Sequence, residues 1–183
     1  MQDQPFLRLV QGFLANSISI STVRRMGPSG TLQAARKFLK DVNLRDLGRA
    51  SPSAYERHLD TLTGSLQDAL PSPAHWGVAR KCLNLFLRDA LYNFYLRSEF
   101  DLAKFERNLE IPLDSHVGKA LAVTPEGRDL PAWRSVVGLD SQLNSQFQQV
   151  AASVAKRKGT YRVHLDLAYW RGQPLGPEPK PRR

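Results

Sequence analysis

The chain has a single cysteine, Cys82, among its 183 residues. An intrachain disulfide needs two cysteines and a four-cysteine iron–sulfur cluster needs four, so both are excluded. Cys82 lies within an apolar stretch, where a lone thiol usually behaves as a small hydrophobic side chain. We therefore expect Cys82 to be a core residue.

Metal-binding histidine motifs and long hydrophobic runs are also missing. The most apolar stretch, 82–96, is interrupted by polar residues and is too short for a membrane span. The N-terminal apolar run is short and broken by Arg8 and Gln11, unlike a secretory signal. No histidine pair has the H-E-x-x-H spacing of zinc-binding helices. The sequence therefore predicts a cytoplasmic protein with no metal cluster and no membrane partner. The histidines are His58, His75, His116 and His164.

Acidic residues are outnumbered by basic ones. The 26 Lys and Arg against 17 Asp and Glu give a formal net charge of +9 and a sequence pI near 10.1. The basic end of the chain, 180–183, carries only part of this excess, so the rest of the chain is basic as well. This balance is typical of a protein that approaches a polyanion, and nucleic acid is the leading candidate. The alternative is that the basic surface only increases solubility.

Apolar residues recur at helical spacing along most of the chain, and no strong strand pattern is present. The sequence therefore predicts an all-α protein, with one domain over 1–172 and a disordered, basic, proline-rich tail over 173–183. The length fits one ordinary domain or two closely packed halves. Helices are predicted near 6–15, 31–39, 52–70, 81–96, 100–109, 112–123, 139–158 and 161–171.

Lys81 and Asp114 are the candidate reactive pair. A lysine at the start of a buried helix loses hydration, which lowers its pKa and favours a neutral, nucleophilic amine. Pro112 is well placed to open a helix, which would put Asp114 in the first helical turn. Their spacing alone favours a different explanation, a snorkelling lysine and an N-terminal capping carboxylate, because isolated Lys and Asp residues are common.

A glycine-containing turn precedes the Lys81 helix. The preceding helix is expected to end near Leu70, at the prolines of 71–73, and Gly77 follows shortly afterwards. Helix, tight turn, helix is the form of a helix-hairpin-helix, in which turn amides and a helix N-terminus bind phosphate. One glycine in such a turn is weak evidence by itself.

Three motifs occur in a fixed order along the chain. They are Gly-Val-Ala-Arg-Lys at 77–81, Ile-Pro-Leu-Asp-Ser-His-Val at 111–117 and His-Leu-Asp-Leu-Ala-Tyr-Trp at 164–170. In this order they resemble the helix-hairpin-helix DNA glycosylases. The wide gap between the first two motifs and the His-Leu-Asp-x-x-x-Trp segment are most similar to the archaeal 8-oxoguanine glycosylase branch. The likeness covers roughly residues 75 to 171.

The resemblance implies two packed helical subdomains with a helix-hairpin-helix element and a cleft between them. In such an enzyme Lys81 would be the amine nucleophile and Asp114 the essential carboxylate. The reaction would be removal of an oxidised purine, 8-oxoguanine, by attack of the amine at C1′. An imine to the opened sugar would form, and strand cleavage by β-elimination would follow.

The resemblance also assigns the residues that would contact DNA. Asp166 would hydrogen-bond the extruded purine and Trp170 would stack on it. The branch's other stacking aromatic would fall at Leu85, where this chain has leucine with Phe86 next to it, so Leu85 and Phe86 would be the further contacts with the base. For His116, an orienting hydrogen bond is as good an explanation as a phosphate contact. The residues expected to contact the DNA backbone are Gly77, Ala79, Arg80, Arg88 and His116.

The partner implied by the resemblance is damaged double-stranded DNA, bound by a monomer. The only ion that it suggests is a monovalent cation at the hairpin, and no other cofactor is expected. Three alternatives stay open: a glycosylase for a different modified base, a non-catalytic helix-hairpin-helix DNA-binding module and, less favoured, a helical RNA-binding protein.

Overall fold

The structure, a computed structural model, describes residues 4–171, which contain helices and no β-strand. This confirms the all-α fold class. No helix in these residues is long and apolar enough to cross a membrane. The proposed tail at 173–183 lies outside the described residues. The α-helices are α1 (Gln4–Ser17), α2 (Ile20–Val23), α3 (Thr31–Lys40), α4 (Leu44–Arg49), α5 (Tyr55–Ala69), α6 (Trp76–Tyr92), α7 (Phe94–Glu99), α8 (Ser115–Ala122), α9 (Ser141–Arg157) and α10 (Arg162–Arg171).

The apolar stretch predicted as one helix over 81–96 is divided between α6 and α7. Asn93 ends α6 and caps α7, because its side-chain oxygen accepts hydrogen bonds from the backbone N–H groups of Tyr95 and Leu96, each at 3.1 Å. Asparagine is a strong N-cap residue, which explains the break within a continuous apolar pattern. At the other end α6 begins at Trp76, so Lys81 lies more than one turn inside the helix.

Asp114 is the N-cap of α8 and does not lie in its first turn, which corrects the prediction from Pro112. Its backbone is extended, with φ −145° and ψ −175°. Its Oδ1 accepts hydrogen bonds from the N–H groups of His116 at 2.9 Å and Val117 at 3.0 Å. Aspartate is favoured at this position because it satisfies helix amides that have no partner within the helix.

The helix predicted over 100–109 is much shorter than expected. Only Leu102–Phe105 is helical, as a 3-10 turn, and the chain from 109 to 114 has no regular structure. A second 3-10 turn, Pro125–Gly127, follows α8, where Thr124 and Pro125 were expected to end the helix. The irregular stretch before α8 carries Asp114, so contacts with the rest of the protein must hold it in place.

Buried apolar side chains form two clusters that meet along α6. The first is built mainly from α1 to α7, and Cys82 and Phe86 lie fully buried within it. The second is built from α8, α9 and the irregular stretch, with Ile111 and Phe147 at its centre. Trp133 packs against both clusters. The expectation that Cys82 is a core residue is therefore confirmed.

Candidate active site

A cavity of about 310 Å³ lies between α2, α6, the start of α8 and α10. We call it the Lys81 cavity. Residues from all three motif regions reach it, although they are far apart in the sequence. The residues predicted from the sequence that line it are Lys81, Leu85, Arg88, Asp114, Asp166 and Trp170.

The helix α6 forms one wall of the cavity. Lys81, Leu85 and Arg88 follow one another at intervals of four and three residues, which places them on one face of the helix. Most of α6 is packed into the two cores, so this short stripe is where the helix meets the open space. Helical periodicity thus explains how an apolar helix presents two cations to one cavity.

The amine of Lys81 is held close to the carboxylate of Asp114. Lys81 is only 7% exposed. Its Nζ donates a hydrogen bond to the backbone carbonyl of Thr22 at 3.1 Å and lies 3.9 Å from Asp114 Oδ2. Burial lowers the pKa of Lys81, and the nearby Asp114 carboxylate opposes this change. The lowered pKa predicted from the sequence is therefore confirmed, and it makes the nucleophilic, neutral amine more available.

The two carboxylate oxygens of Asp114 have separate contacts. Oδ1 caps α8, whereas Oδ2 is the oxygen nearest to Lys81 Nζ. Capping the helix restricts rotation of the carboxylate, so Oδ2 keeps its direction towards the amine. Asp114 can therefore cap α8 through Oδ1 and still direct Oδ2 towards the amine, so its capping role does not exclude a catalytic one.

Asp166 forms the opposite side of the cavity and pairs with Arg88. It is 1% exposed, and Arg88 Nη1 donates a hydrogen bond to its Oδ2. Arg88 also donates to Asp89 Oδ1, from Nε at 2.9 Å and from Nη2 at 2.7 Å. Burial raises the pKa of Asp166 to about 6; Arg88 opposes this rise and Asp114 adds to it. Asp166 therefore changes its charge close to neutral pH.

Trp170 lies at the mouth of the cavity and is 60% exposed. The centre of its ring is 5.2 Å from that of His116. His116 Nε2 lies 2.6 Å from the backbone carbonyl of Tyr169, which can only accept, so Nε2 carries the proton. His116 therefore makes a hydrogen bond that joins α8 to the end of α10. This is the orienting hydrogen bond that was one of the two predictions for His116.

A second histidine fixes the other end of α10. His164 Nδ1 lies 2.8 Å from the hydroxyl of Tyr92, and His164 Nε2 lies 3.0 Å from Glu106 Oε1. These contacts join α10 to the end of α6 and to the loop after the first 3-10 turn. Both ends of the helix that carries Asp166 are thus attached to the protein body.

Three of the residues expected to contact a DNA backbone are buried. Arg80 is 3% exposed and donates two hydrogen bonds to Glu110, so the prediction that it contacts phosphate is wrong. Ala79 is fully buried in the first core. Gly77 lies in the first turn of α6, where a Cβ atom would overlap the carbonyl oxygen of Val136. Glycine at 77 therefore permits close packing of α6 against the chain at Val136.

Phe86 is also misplaced by the sequence analysis. It is fully buried in the first core and does not line the Lys81 cavity, so the prediction that it contacts an extruded base is wrong. The half-buried Leu85 does line the cavity. Trp170 is therefore the one aromatic side chain among the described residues that line the cavity.

The helix α2 contributes to the cavity in a way that the sequence does not indicate. Thr22 supplies the carbonyl that accepts from Lys81, and Ser21 also lines the cavity. The contact between Thr22 and Lys81 joins residues 59 positions apart and uses a backbone atom, so no side-chain motif indicates it. The pairing of Arg88 with Asp166 was also missed, although both residues had been singled out.

Comparisons with models of known protein families, with curated proteins and with solved structures find no match. Among residues 4–171, no group of three or more His, Cys, Asp or Glu side chains is arranged to hold a metal ion. The side chains of the Lys81 cavity are therefore the basis of the candidate function.

Proposed function

We propose that the protein is a DNA glycosylase and AP lyase that removes an oxidised purine, 8-oxoguanine, from double-stranded DNA. One observation carries the proposal: a buried lysine amine with a lowered pKa lies 3.9 Å from a carboxylate oxygen. The same cavity contains a second carboxylate and an exposed indole. A lysine whose pKa is lowered by burial is one of the ways in which an amine is activated for attack on an electrophilic carbon.

Access to C1′ requires the damaged nucleotide to leave the duplex. Unstacking and unpairing cost a few kcal/mol, which stacking and backbone contacts on the protein must offset. Stacking of one base on an aromatic side chain contributes about 1–3 kcal/mol. The exposed indole of Trp170, at the mouth of the cavity, is available for this contact. The net charge of +9 supports attraction to the phosphate backbone.

In the proposed reaction the neutral amine of Lys81 forms a bond to C1′. The glycosidic C–N bond breaks, and the base leaves with its electron pair and takes up a proton. Asp114 Oδ2 stabilises positive charge that develops on the sugar, and it can receive the proton released by the attacking amine. Opening of the sugar ring gives an imine, loss of the 2′ proton follows, and the 3′ phosphate leaves by β-elimination.

Asp166 is the proposed hydrogen-bond partner of the extruded purine. In the free protein its Oδ2 accepts from Arg88, so a bound purine would share or replace this contact. Leu85 would supply an apolar surface against the ring. A glycosylase for a different modified base is the main alternative, because Leu85 stands where the similar enzymes have a second aromatic.

In the proposed enzyme, the two apolar clusters and the connection between α5 and α6 have separate roles. The two apolar clusters would be the two subdomains and the Lys81 cavity part of the cleft between them. The helices α5 and α6 with their connection would be the helix-hairpin-helix element, where a monovalent cation would bind. Arg88 and His116 remain the proposed backbone contacts. The protein would act as a cytoplasmic monomer.

Borohydride trapping on a duplex that contains 8-oxoguanine tests the proposal. The wild-type protein should form a covalent adduct, and Lys81→Gln should not. Lys119→Gln, which changes an exposed lysine on α8, is the matched control and should still form the adduct. Asp114→Asn should bind the duplex but turn over poorly, because the charge near the sugar is lost.

The outcomes distinguish the alternatives. Salt-sensitive DNA binding without an adduct on any lesion of a panel would refute the enzyme and leave a DNA-binding module. Adducts that form only with another modified base would keep the enzyme class and reject 8-oxoguanine as the substrate. An adduct that persists in Lys81→Gln would show that another amine is the nucleophile.

A further inference from the structure

The irregular stretch that leads to Asp114 is held by a buried polar cluster. This cluster, which we call the Glu110 cluster, lies on the side of α6 away from the Lys81 cavity. Each of its members is 7% exposed or less. The members come from α5, α6, α9 and the irregular stretch itself. They are Thr63, Arg80, Asn84, Glu110, Asn144 and Gln148.

The carboxylate of Glu110 accepts four hydrogen bonds, two on each oxygen. Arg80 donates from Nε at 2.9 Å and from Nη2 at 3.0 Å. Asn84 donates from Nδ2 at 2.8 Å, and Asn144 donates from Nδ2 at 3.0 Å. Arg80 and Asn84 belong to α6 and Asn144 belongs to α9. The position of Glu110 is therefore fixed relative to two long helices.

The next residue, Ile111, is held by a side chain of α9. Its backbone N–H donates to Gln148 Oε1 at 3.1 Å, and its carbonyl accepts from Gln148 Nε2 at 2.8 Å. One amide side chain thus satisfies both backbone polar groups of a residue that lies outside any helix. Two consecutive residues of the stretch are therefore anchored by side chains.

This anchoring reaches the Lys81 cavity through a short length of chain. Asp114 follows Ile111 by three residues, which span at most about 11 Å when extended. Leu113, directly before Asp114, is 1% exposed and belongs to the second core. At the other side, Arg80 and Lys81 are consecutive residues of α6. The Glu110 cluster therefore holds the chain segments that carry both members of the reactive pair.

We propose that Glu110 and Gln148 are positioning residues that set the separation between Lys81 Nζ and Asp114 Oδ2. The inference rests on the proposed function, because it gives these residues a role in the reaction assigned to that pair. The cluster contacts neither the cavity amine nor the substrate. It acts by holding the stretch before α8 against α6 and α9.

The test compares two buried glutamines that each hold backbone carbonyls. Gln148→Met removes both hydrogen bonds to Ile111 at similar volume. Gln11→Met is the matched control, because Gln11 is 8% exposed and donates to carbonyls such as that of Val42, at 2.8 Å, which do not belong to the Lys81 cavity. Gln148→Asn is the milder second variant, because it keeps an uncharged amide at the same position but with a shorter reach to Ile111.

The first measurement is the single-turnover rate of borohydride trapping, with the DNA Kd and the thermal midpoint measured in parallel. Both Gln→Met variants should have lower Tm values and unchanged Kd values. Only Gln148→Met should trap more slowly, by about 10- to 100-fold, as expected for misplacement of a reacting pair by about 1 Å. A normal rate in folded Gln148→Met, or an equal fall in Gln11→Met, would overturn the inference.

The second measurement needs no DNA. The pH dependence of modification of Lys81 by trinitrobenzenesulfonate, followed by mass spectrometry, reports the pKa of its amine. Gln148→Met should lower this pKa further than in the wild type, because Asp114 would no longer be held near the amine. Gln11→Met should leave it unchanged, and Gln148→Asn should lie between. An identical pKa in wild type and Gln148→Met would refute the positioning role even if no lesion were ever processed.

Discussion

The buried pair of Asp166 and Arg88 predicts an unusual dependence of stability on pH. Burial raises the pKa of Asp166 from its ordinary value of 3.8 to about 6. Between these two values the folded protein binds more protons at this residue than the unfolded chain does. The free energy of unfolding should therefore fall as pH rises through this window, which is the reverse of the usual behaviour of a salt-bridged carboxylate.

The size of the effect follows from the same two values. They differ by about 2 pH units, and each unit corresponds to about 1.36 kcal/mol, so the loss is about 3 kcal/mol in total. Because Asp166 is 1% exposed, this contribution is little reduced by solvent screening. The stabilising contribution of protonated Asp166 is complete below about pH 4 and is lost above about pH 6.

Urea denaturation followed by circular dichroism, at pH values from 3.5 to 7, measures this contribution. The difference in free energy of unfolding between wild type and Asp166→Asn should change by about 3 kcal/mol over this range, because asparagine does not titrate. In an Arg88→Met background the opposing cation is gone, so the same change should extend to higher pH. Parallel curves for wild type and Asp166→Asn across the whole range would refute the reasoning.

Two further substitutions test packing and capping. Gly77→Ala should lower the free energy of unfolding by about 3 kcal/mol, since the new Cβ would overlap the Val136 carbonyl and lie 2.7 Å from Leu139 Cβ. Gly64→Ala in α5 should instead raise the free energy of unfolding by about 1 kcal/mol, because a Cβ at this position would have no neighbour within 4 Å outside the helix's own backbone. Both Asp114→Ala and Asp114→Asn remove the carboxylate near Lys81, but Asp114→Ala should cost about 1 kcal/mol more in chemical denaturation, because only asparagine retains the α8 cap. Equal effects of the two glycine changes, or of the two Asp114 changes, would contradict these assignments.

The helical fold was predictable because hydrophobic periodicity is a local property of the sequence. The positions of helix ends were less predictable, since they depend on single capping residues. Asn93 divides an apolar run that has no break in its hydrophobic pattern, and Asp114 moves the start of α8 to the residue after it. In both cases a short polar side chain that binds two backbone amides determines where the helix begins.

The proximity of Lys81 and Asp114 was also predictable, but only from motif order. Spacing alone favoured a snorkelling lysine and a capping carboxylate, whereas the structure brings both side chains to one cavity. The contact from Thr22 depends on a backbone atom, and the Glu110 cluster joins four separate segments of the chain. Interactions of this kind arise from tertiary packing and leave no periodic pattern in the sequence.

The expected phosphate contacts were wrong for a reason specific to arginine. A basic residue next to a candidate nucleophile suggests a surface that faces DNA, but Arg80 has its own buried carboxylate and hydroxyl partners. Burial of an arginine is tolerated when several acceptors satisfy its guanidinium group, and the sequence does not reveal those acceptors. Glu110 and Thr63 lie 30 and 17 residues away along the chain.

Arg80 and Lys81 are consecutive cations of α6 with different surroundings. The helix is therefore sensitive to the insertion or deletion of a residue. Successive helical residues are rotated by about 100° around the axis, which is enough to send Arg80 towards Glu110 and Lys81 towards the cavity. Inserting one residue near Trp76 would place the guanidinium group of Arg80 in the Lys81 cavity. Deleting one residue would place the ammonium group of Lys81 beside the carboxylate of Glu110. Length variation in this protein should therefore be confined to its loops and excluded from the first two turns of α6.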